Sequence, residues 1–196
     1  VSHVVIMGIG EPFDNYKNVM NFIYCINEAK GLAIGARHIS VSTSGIVPKI
    51  KELMNEKIQI NLAISLHAPN NEIRNKIMKV NKAYNMDELK AVLLEYCSKT
   101  NRRLTFEYIL LKDINDKEED ALELIKWLEG TCSYVNLIPY NAVNESNYQR
   151  SSEKNINNFY NILKKNKINV TIRREFGKDI EAACGQLRAK SEAQKK

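Results

Sequence analysis

The chain has 196 residues, of which 44% are hydrophobic and 27% charged, proportions typical of a soluble globular domain with a core of its own. No apolar run reaches the roughly 18 residues that a membrane-spanning helix needs, so the sequence predicts no membrane partner. Lys and Arg outnumber Asp and Glu by 29 to 23, and this net charge of +6 permits a polyanionic partner without demanding one. The four cysteines have neither metal-ligand spacing nor a disulfide pattern, which favours a reducing, cytoplasmic location.

Strand-like hydrophobic runs alternate with segments of helical period along the chain. In chain order, the predicted elements are a strand at Ser2–Met7, a helix at Tyr16–Ala29, a strand at His38–Ser42, a helix at Val47–Asn55, a strand at Ile58–Ser65, a short helix within Asn70–Val80, a helix at Met86–Lys99, a strand at Leu104–Leu111, a helix at Asp116–Leu128 capped by Asp116, a strand at Tyr134–Ile138, a helix from Ser151 or Ser152 to about Asn166, a strand at Asn169–Arg174 and a last helix near Asp179–Ala189. Cys25 and Cys97 lie beside apolar residues at helical spacing, so both thiols are expected to be buried and inert.

This alternation predicts an α/β fold with a parallel sheet and outer crossover helices, because parallel neighbours need long connections. Five or six strands are too few for a closed eight-stranded barrel. We therefore expect an open, partial barrel that lacks a strand before Val1. We expect residues 1–189 to form this single domain and residues 190–196 to form a polar tail.

Small and polar motifs follow directly on five of the predicted strands. They are Met7–Pro12, Ser42–Gly45, Ser65–Asn70, Leu111–Asp116 and Pro139–Asn141. Parallel strands place all their carboxyl ends on one rim, where barrel folds build their active sites. The sequence thus predicts a ligand site at that rim.

The first two motifs offer groups that suit a polar ligand. Gly10 allows a ligand to approach the backbone, and Glu11 can accept hydrogen bonds from an amine or from ribose hydroxyls. Ser42 and the residues after it offer hydroxyl and N–H groups to a carboxylate, phosphate or ribose. The alternatives are a plain turn with a surface Glu and ordinary helix capping.

Candidates also occur in the later motifs. Ser65 and His67 alternate along a strand end, so both can face one side, and His67 can donate to an anion or shuttle a proton, or be purely structural. Asn141 can bind a sugar or a carboxylate. Small neighbours leave room for a ligand to reach the sulfur of Cys184, although a small buried helix residue explains the same pattern.

The motifs together resemble the RlmN branch of the Cfr/RlmN family of radical S-adenosylmethionine (SAM) RNA methyltransferases. The resemblance runs from Val1 to about Arg188 and rests on the strings MGIGEP, STSG, SLHAPN, NLIPYN and AACGQL, in that order. It implies a partial (β/α)6 radical SAM barrel. It also implies methylation of carbon 2 of an adenosine in 23S rRNA and in tRNA, with SAM and a [4Fe–4S] cluster as cofactors and an electron donor such as flavodoxin.

The same resemblance implies roles for individual residues. Gly10 and Glu11 would meet the SAM amino group, and Asn141 would bind near the adenosyl end. Cys184 would carry the methyl group as the catalytic residue. The ribose and carboxylate side of SAM would be lined by Ser42, Ser65 and His67, with the backbone of Leu66.

One family feature is missing. The C-x3-C-x2-C string that binds the cluster does not occur in this sequence. We therefore expect a C-terminal fragment whose first strand and cluster loop lie before Val1, with no metal ligand of its own. By itself it is expected to be inactive and to bind SAM weakly.

Three alternatives remain open. A Cfr-type enzyme would methylate carbon 8 of the adenine. A non-catalytic RNA-binding module would use a basic set comprising Lys164, Lys165, Lys167, Arg173 and Arg174. The third alternative is a small-molecule β/α enzyme such as an aldolase. The sequence offers no candidate Schiff-base lysine at a strand end for such an enzyme, which would also leave the cysteine motif unexplained.

Overall fold

The computed structural model of the chain describes residues 1–141 and 146–173. These residues form one sheet of six strands, each pairing in parallel with the next along the chain. The strands are β1 (Val4–Ile6), β2 (Ile39–Thr43), β3 (Asn61–Ser65), β4 (Leu104–Leu110), β5 (Ser133–Pro139) and β6 (Asn169–Ile172). This sequential order confirms the open, partial α/β barrel.

Helices connect the strands as predicted. They are α1 (Tyr16–Asn27), α2 (Val47–Leu53), α3 (Asn71–Ile77), α4 (Met86–Thr100), α5 (Glu118–Leu128) and α6 (Glu153–Lys165). No described helix has the length and apolar composition to cross a membrane. Three 3-10 turns were not predicted, at Pro12–Asn15, Ala36–His38 and Lys79–Lys82. The predicted last helix at 179–189 and the tail at 190–196 lie outside the described residues.

Two local predictions were wrong. The residue at the N-cap of α5 is Lys117, whose N–H donates to Asp120 at 3.0 Å. Asp116 instead accepts from the N–H of Asp113 and from Asn155 of α6, which ties the loop to that helix.

The second wrong prediction is the burial of Cys25. Its side chain is exposed, because it lies on the side of α1 opposite to the buried Ile23. Cys97 is partly buried.

The two faces of the sheet differ in chemistry, because successive side chains of a strand point to opposite sides. One face packs on the helices: Phe106 meets Trp127 of α5 edge to face, and Tyr108 contacts Phe159 of α6. The opposite face, called the inner face here, carries polar side chains in register. They are Ser65, Glu107, Asn136 and Thr171, on four adjacent strands. The core therefore fills the helix side, and the inner face is left for a polar site.

Candidate functional site

A cavity of about 610 Å³ opens at the carboxyl ends of the strands. The loop after β1 forms one wall, and the ends of β2 and β3 form the next. The predicted residues that line it are Gly10, Glu11, Ser42, Ser65 and His67. The motifs that the sequence separates by up to 57 positions therefore meet in one place, as expected for a parallel sheet.

Glu11 joins the first two motifs. Its Oε2 accepts hydrogen bonds from the backbone N–H and the hydroxyl of Ser44, both at 2.7 Å, and its Oε1 accepts from the N–H of Phe13 at 3.0 Å. The carboxylate thus caps the 3-10 turn at Pro12–Asn15 and fixes its own orientation at the cavity wall. A carboxylate has about four lone-pair sites, so acceptor capacity remains for a ligand.

Ser42 and Ser65 present hydroxyls side by side on the inner face. Their Oγ atoms lie 3.4 Å apart, a long hydrogen bond in which either atom can donate. Two hydroxyls so weakly paired can rotate toward a ligand. This arrangement suits hydroxyl or carboxylate groups.

His67 reaches the cavity from beyond the end of β3. Its φ of +60° is in the left-handed region, which is uncommon for a residue other than glycine. The conformation is held by Asn115, whose Nδ2 donates to the His67 carbonyl at 2.7 Å, and by the His67 N–H, which donates to the Glu107 carbonyl at 3.2 Å. Ser65 and His67 therefore face the same cavity, but through this backbone turn and not through strand alternation.

The imidazole of His67 is fixed in one neutral form. The backbone N–H of Ile109 donates to its Nδ1 at 3.1 Å, so the proton of the neutral ring is on Nε2. Burial, and then the nearby charge of Arg74, lower the pKa of His67 to about 4. At neutral pH the ring is a hydrogen-bond donor through Nε2, which favours the predicted binding role over proton shuttling.

Three predicted residues are not among the described residues that line the cavity. The side chain of Leu66 is fully buried, and both its backbone groups are engaged: its N–H donates to the Glu107 carbonyl, and its carbonyl accepts from Arg74. Asn141 follows β5 on the same rim. Cys184 lies outside the described residues.

Glu107 is a cavity residue that sequence reasoning missed. It is 8% exposed and lines the cavity from β4. Asn136 of β5 donates to its Oε2 at 2.8 Å, and the Thr171 hydroxyl of β6 donates to Asn136 at 3.3 Å. Burial raises the pKa of Glu107 against the lowering effects of Asn136 and Arg173. The sequence feature that could have identified it is a single carboxylate within the mostly apolar strand LTFEYIL.

Arg74 of α3 was also missed. It is fully buried and donates four hydrogen bonds behind the cavity wall. The acceptors are the carbonyls of Ser44 (2.6 Å), Leu66 (3.2 Å) and Ser65 (3.3 Å) and the Oδ1 of Asn81 (3.0 Å). It braces the ends of β2 and β3 against the 3-10 turn at Lys79–Lys82. Nothing in the short segment NEIRNKI distinguishes this arginine from an exposed one.

The described residues fit one expected cofactor but not the other. Among them no group of three His, Cys, Asp or Glu side chains is placed to hold a metal ion. The thiols of Cys25, Cys97 and Cys132 therefore form no described three-ligand group that fits an iron–sulfur cluster. The cavity, in contrast, falls within the range of about 300–1,000 Å³ for ligand sites and offers a carboxylate, two hydroxyls and an imidazole donor, which fits SAM.

Comparison with known proteins places the chain in a family. The profile of the radical SAM superfamily matches residues 2–125. Proteins named "Probable dual-specificity RNA methyltransferase RlmN" from Enterococcus faecalis and Spiroplasma citri are 61% and 58% identical over 97% and 98% of the chain. A crystal structure of a radical SAM methyltransferase from Sphaerobacter thermophilus superposes with a TM-score of 0.92, at 44% identity over 95% of the chain.

The chain spans about half the length of these proteins: 54% and 55% of the two relatives and 55% of the crystallised chain. The match to the superfamily profile covers more than half of the chain itself, and the sheet order agrees with it. The chain therefore belongs to the radical SAM superfamily and, within it, is similar to proteins named RlmN over nearly all of its length.

Proposed function

We propose that the chain is the catalytic core of an RNA methyltransferase that methylates carbon 2 of an adenosine in 23S rRNA and in tRNA. The observation that carries the proposal is the meeting of Glu11, Ser42, Ser65 and His67 in one cavity on the rim where the sequence motifs predicted a ligand site. The names of the similar proteins support RNA as the substrate class. The positive charge of the chain is suited to a polyanion.

SAM is the proposed ligand of the cavity, where it would supply the methyl group. The Glu11 carboxylate, held by Ser44, would accept from the SAM ammonium. The hydroxyls of Ser42 and Ser65 and the Nε2–H of His67 suit its ribose hydroxyls and its carboxylate. Gly10, in a left-handed conformation with φ +91° and open space beside its Cα, lets the ligand approach the backbone closely.

Further assignments belong to this proposal. Cys184 would carry the methyl group to the RNA, Asn141 would bind near the adenosyl end, and the Leu66 backbone would support the wall. The cluster would be held elsewhere in the whole protein and reduced by a donor such as flavodoxin, in the cytoplasm. The domain would extend over residues 1–189.

The test is a methylation assay with the whole protein, its cluster reconstituted, and labelled SAM. The substrates are 23S rRNA fragments and tRNA, and mass spectrometry of the nucleosides locates the methyl group. We expect 2-methyladenosine from both RNAs and at least a hundredfold loss in the Glu11→Ala variant, with Glu95→Gln on the exposed face of α4 as control.

Two results would contradict the proposal. Methyl groups only on carbon 8 would assign the protein to the Cfr type. The other result is the absence of methylation by a protein with a proven cluster, together with RNA binding that depends steeply on salt and is unchanged in Glu11→Ala. It would indicate a non-catalytic RNA-binding module.

A further inference from the structure

Arg74 is a buried cation whose hydrogen-bond partners among the described residues are all neutral. Its guanidinium donates to three backbone carbonyls and to the side-chain amide of Asn81. The ion pairs formed between described residues involve other side chains, so no described carboxylate lies within 4.0 Å of it. Burial lowers the pKa of Arg74 to about 10, which still leaves it protonated at neutral pH. A buried charge is costly, and no described residue supplies a counter-charge for this one, so its presence calls for an explanation.

The charge lies one layer of backbone behind the cavity. The Nη2 of Arg74 donates to the carbonyls of Ser44 and Ser65, and both residues line the cavity. Its effect reaches the cavity, because the same charge contributes to the lowered pKa of His67. A buried charge is poorly screened, so it favours an anion in the adjacent space.

Ser44 separates this cation from a carboxylate. Its carbonyl accepts from Arg74 at 2.6 Å, while its N–H and hydroxyl donate to Glu11 at 2.7 Å. The wall near Ser44 therefore combines a negative group at its surface with a positive group just behind it. An α-amino acid zwitterion has the complementary pair, an ammonium and a carboxylate two bonds apart.

We propose that Arg74 is the positioning residue that makes this wall select the carboxylate of the SAM amino-acid moiety. Glu11 faces the ammonium. The guanidinium of Arg74 does not contact the ligand, and its charge acts on the carboxylate through the backbone of Ser44 and the backbone of Ser65. This inference rests on the proposed function, since it takes SAM as the ligand. It predicts that neutralising Arg74 weakens binding of a ligand that has the carboxylate and spares one that lacks it.

The test uses the variant Asn81→Asp in the whole protein with its cluster. Asp accepts the same hydrogen bond from Nη1 of Arg74 and adds a negative charge beside it, but it loses the amide donor that Asn81 gives to Asn71 and Asn75. The matched control is Asn75→Asp, because Asn75 is exposed and its Oδ1 already accepts from Asn81. Calorimetry measures the affinities for SAM and for decarboxylated SAM, and thermal unfolding verifies that both variants are folded.

We expect Asn81→Asp to weaken SAM binding about tenfold and to change decarboxylated SAM binding less than about twofold. Asn75→Asp should leave both affinities unchanged. A brace without an electrostatic role predicts the same change for both ligands in Asn81→Asp, whether the new ion pair strengthens the wall or the lost amide donor loosens it, and that result overturns the inference.

A second variant guards against misfolding. Arg74→Lys keeps the charge but donates fewer hydrogen bonds, so it should keep the wild-type preference for SAM over decarboxylated SAM while lowering the melting temperature. Loss of the preference in this variant would contradict the inference. If the wild-type whole protein binds neither ligand, the proposed function itself fails, and the inference fails with it.

Discussion

The carboxylate of Glu11 accepts two hydrogen bonds from one residue, the N–H and the hydroxyl of Ser44, both at 2.7 Å. The two residues are 33 positions apart and belong to the loops after β1 and β2. Their contact makes these loops one wall and orients the carboxylate before any ligand arrives. Pre-orientation of this kind reduces the ordering cost of binding.

The contact between Glu11 and Ser44 can be measured with a double-mutant cycle. Hydrogen bonds to a charged group contribute about 1.5–3 kcal/mol, so we expect Glu11→Gln and Ser44→Ala to show a coupling free energy of about 1–2 kcal/mol in urea unfolding. Glu11→Gln combined with Ser98→Ala, on the exposed side of α4, should be additive. Additivity of the Glu11–Ser44 pair would contradict the wall described here.

Protonation of His67 should make the protein less stable in acid. Its pKa is about 4 in the folded chain and 6.5 in the unfolded chain, so only the unfolded state binds the proton between these values. The free energy of unfolding is therefore highest, as far as His67 is concerned, above pH 6.5. It falls by up to about 3 kcal/mol as the pH decreases toward 4.

Urea unfolding at several pH values, with wild type and His67→Gln, measures this effect. The difference between the two proteins should grow from pH 4 to pH 6.5 and then level off. His38→Gln, at an exposed site, is the control variant. A wild-type and a His67→Gln protein with parallel pH profiles would contradict the neutral Nε2–H form.

The buried carboxylate of Glu107 should act in the opposite direction. Burial raises its pKa in the folded state, so folding is disfavoured as the pH rises through the unfolded and then the folded value. Glu107→Gln can still accept from Asn136 and carries no charge. We expect its melting temperature to exceed that of wild type at pH 7 and to approach it at pH 4, with the exposed Glu95→Gln as the control variant.

Asn115 should be important for stability although it does not line the cavity. It is fully buried; its Oδ1 accepts from the Leu111 N–H, and its Nδ2 donates to the carbonyls of His67 and Ile109, all at 2.7 Å. Removing the amide leaves these groups unpaired. Asn115→Ala should therefore cost about 3 kcal/mol in chemical unfolding. Asn157→Ala, exposed on α6, is the control, and equal costs for the two variants would contradict this role.

The sequence predicted those features that depend on local pattern. Period and strand-end motifs were enough for the sheet, and the parallel arrangement then brought Glu11, Ser42, Ser65 and His67 together. The predicted burial of Cys25 was wrong because apolar neighbours on a helix do not show which side faces the core. Asp116 resembled a cap, but its carboxylate is used by Asp113 and Asn155.

The missed residues depend on tertiary contacts. Arg74 acquires its role from carbonyls of loops up to 30 positions away, and no local pattern encodes them. Glu107 gave a signal, a charge inside an apolar strand, but its position on the inner face follows from the register with Ser65 and Asn136. The left-handed turn at His67 likewise depends on Asn115, 48 positions later.

The central claim, that this chain is the core of a methyltransferase that works through Cys184, is tested most directly by peptide mass spectrometry. The whole protein is expressed with and without iron–sulfur cluster assembly, and the peptide that contains Cys184 is compared with the one that contains the exposed Cys132. We predict an added methyl group on Cys184 alone, and only when the cluster is assembled. An unmodified Cys184 in protein with an intact cluster and SAM would contradict the account and favour a structural cysteine in an RNA-binding domain.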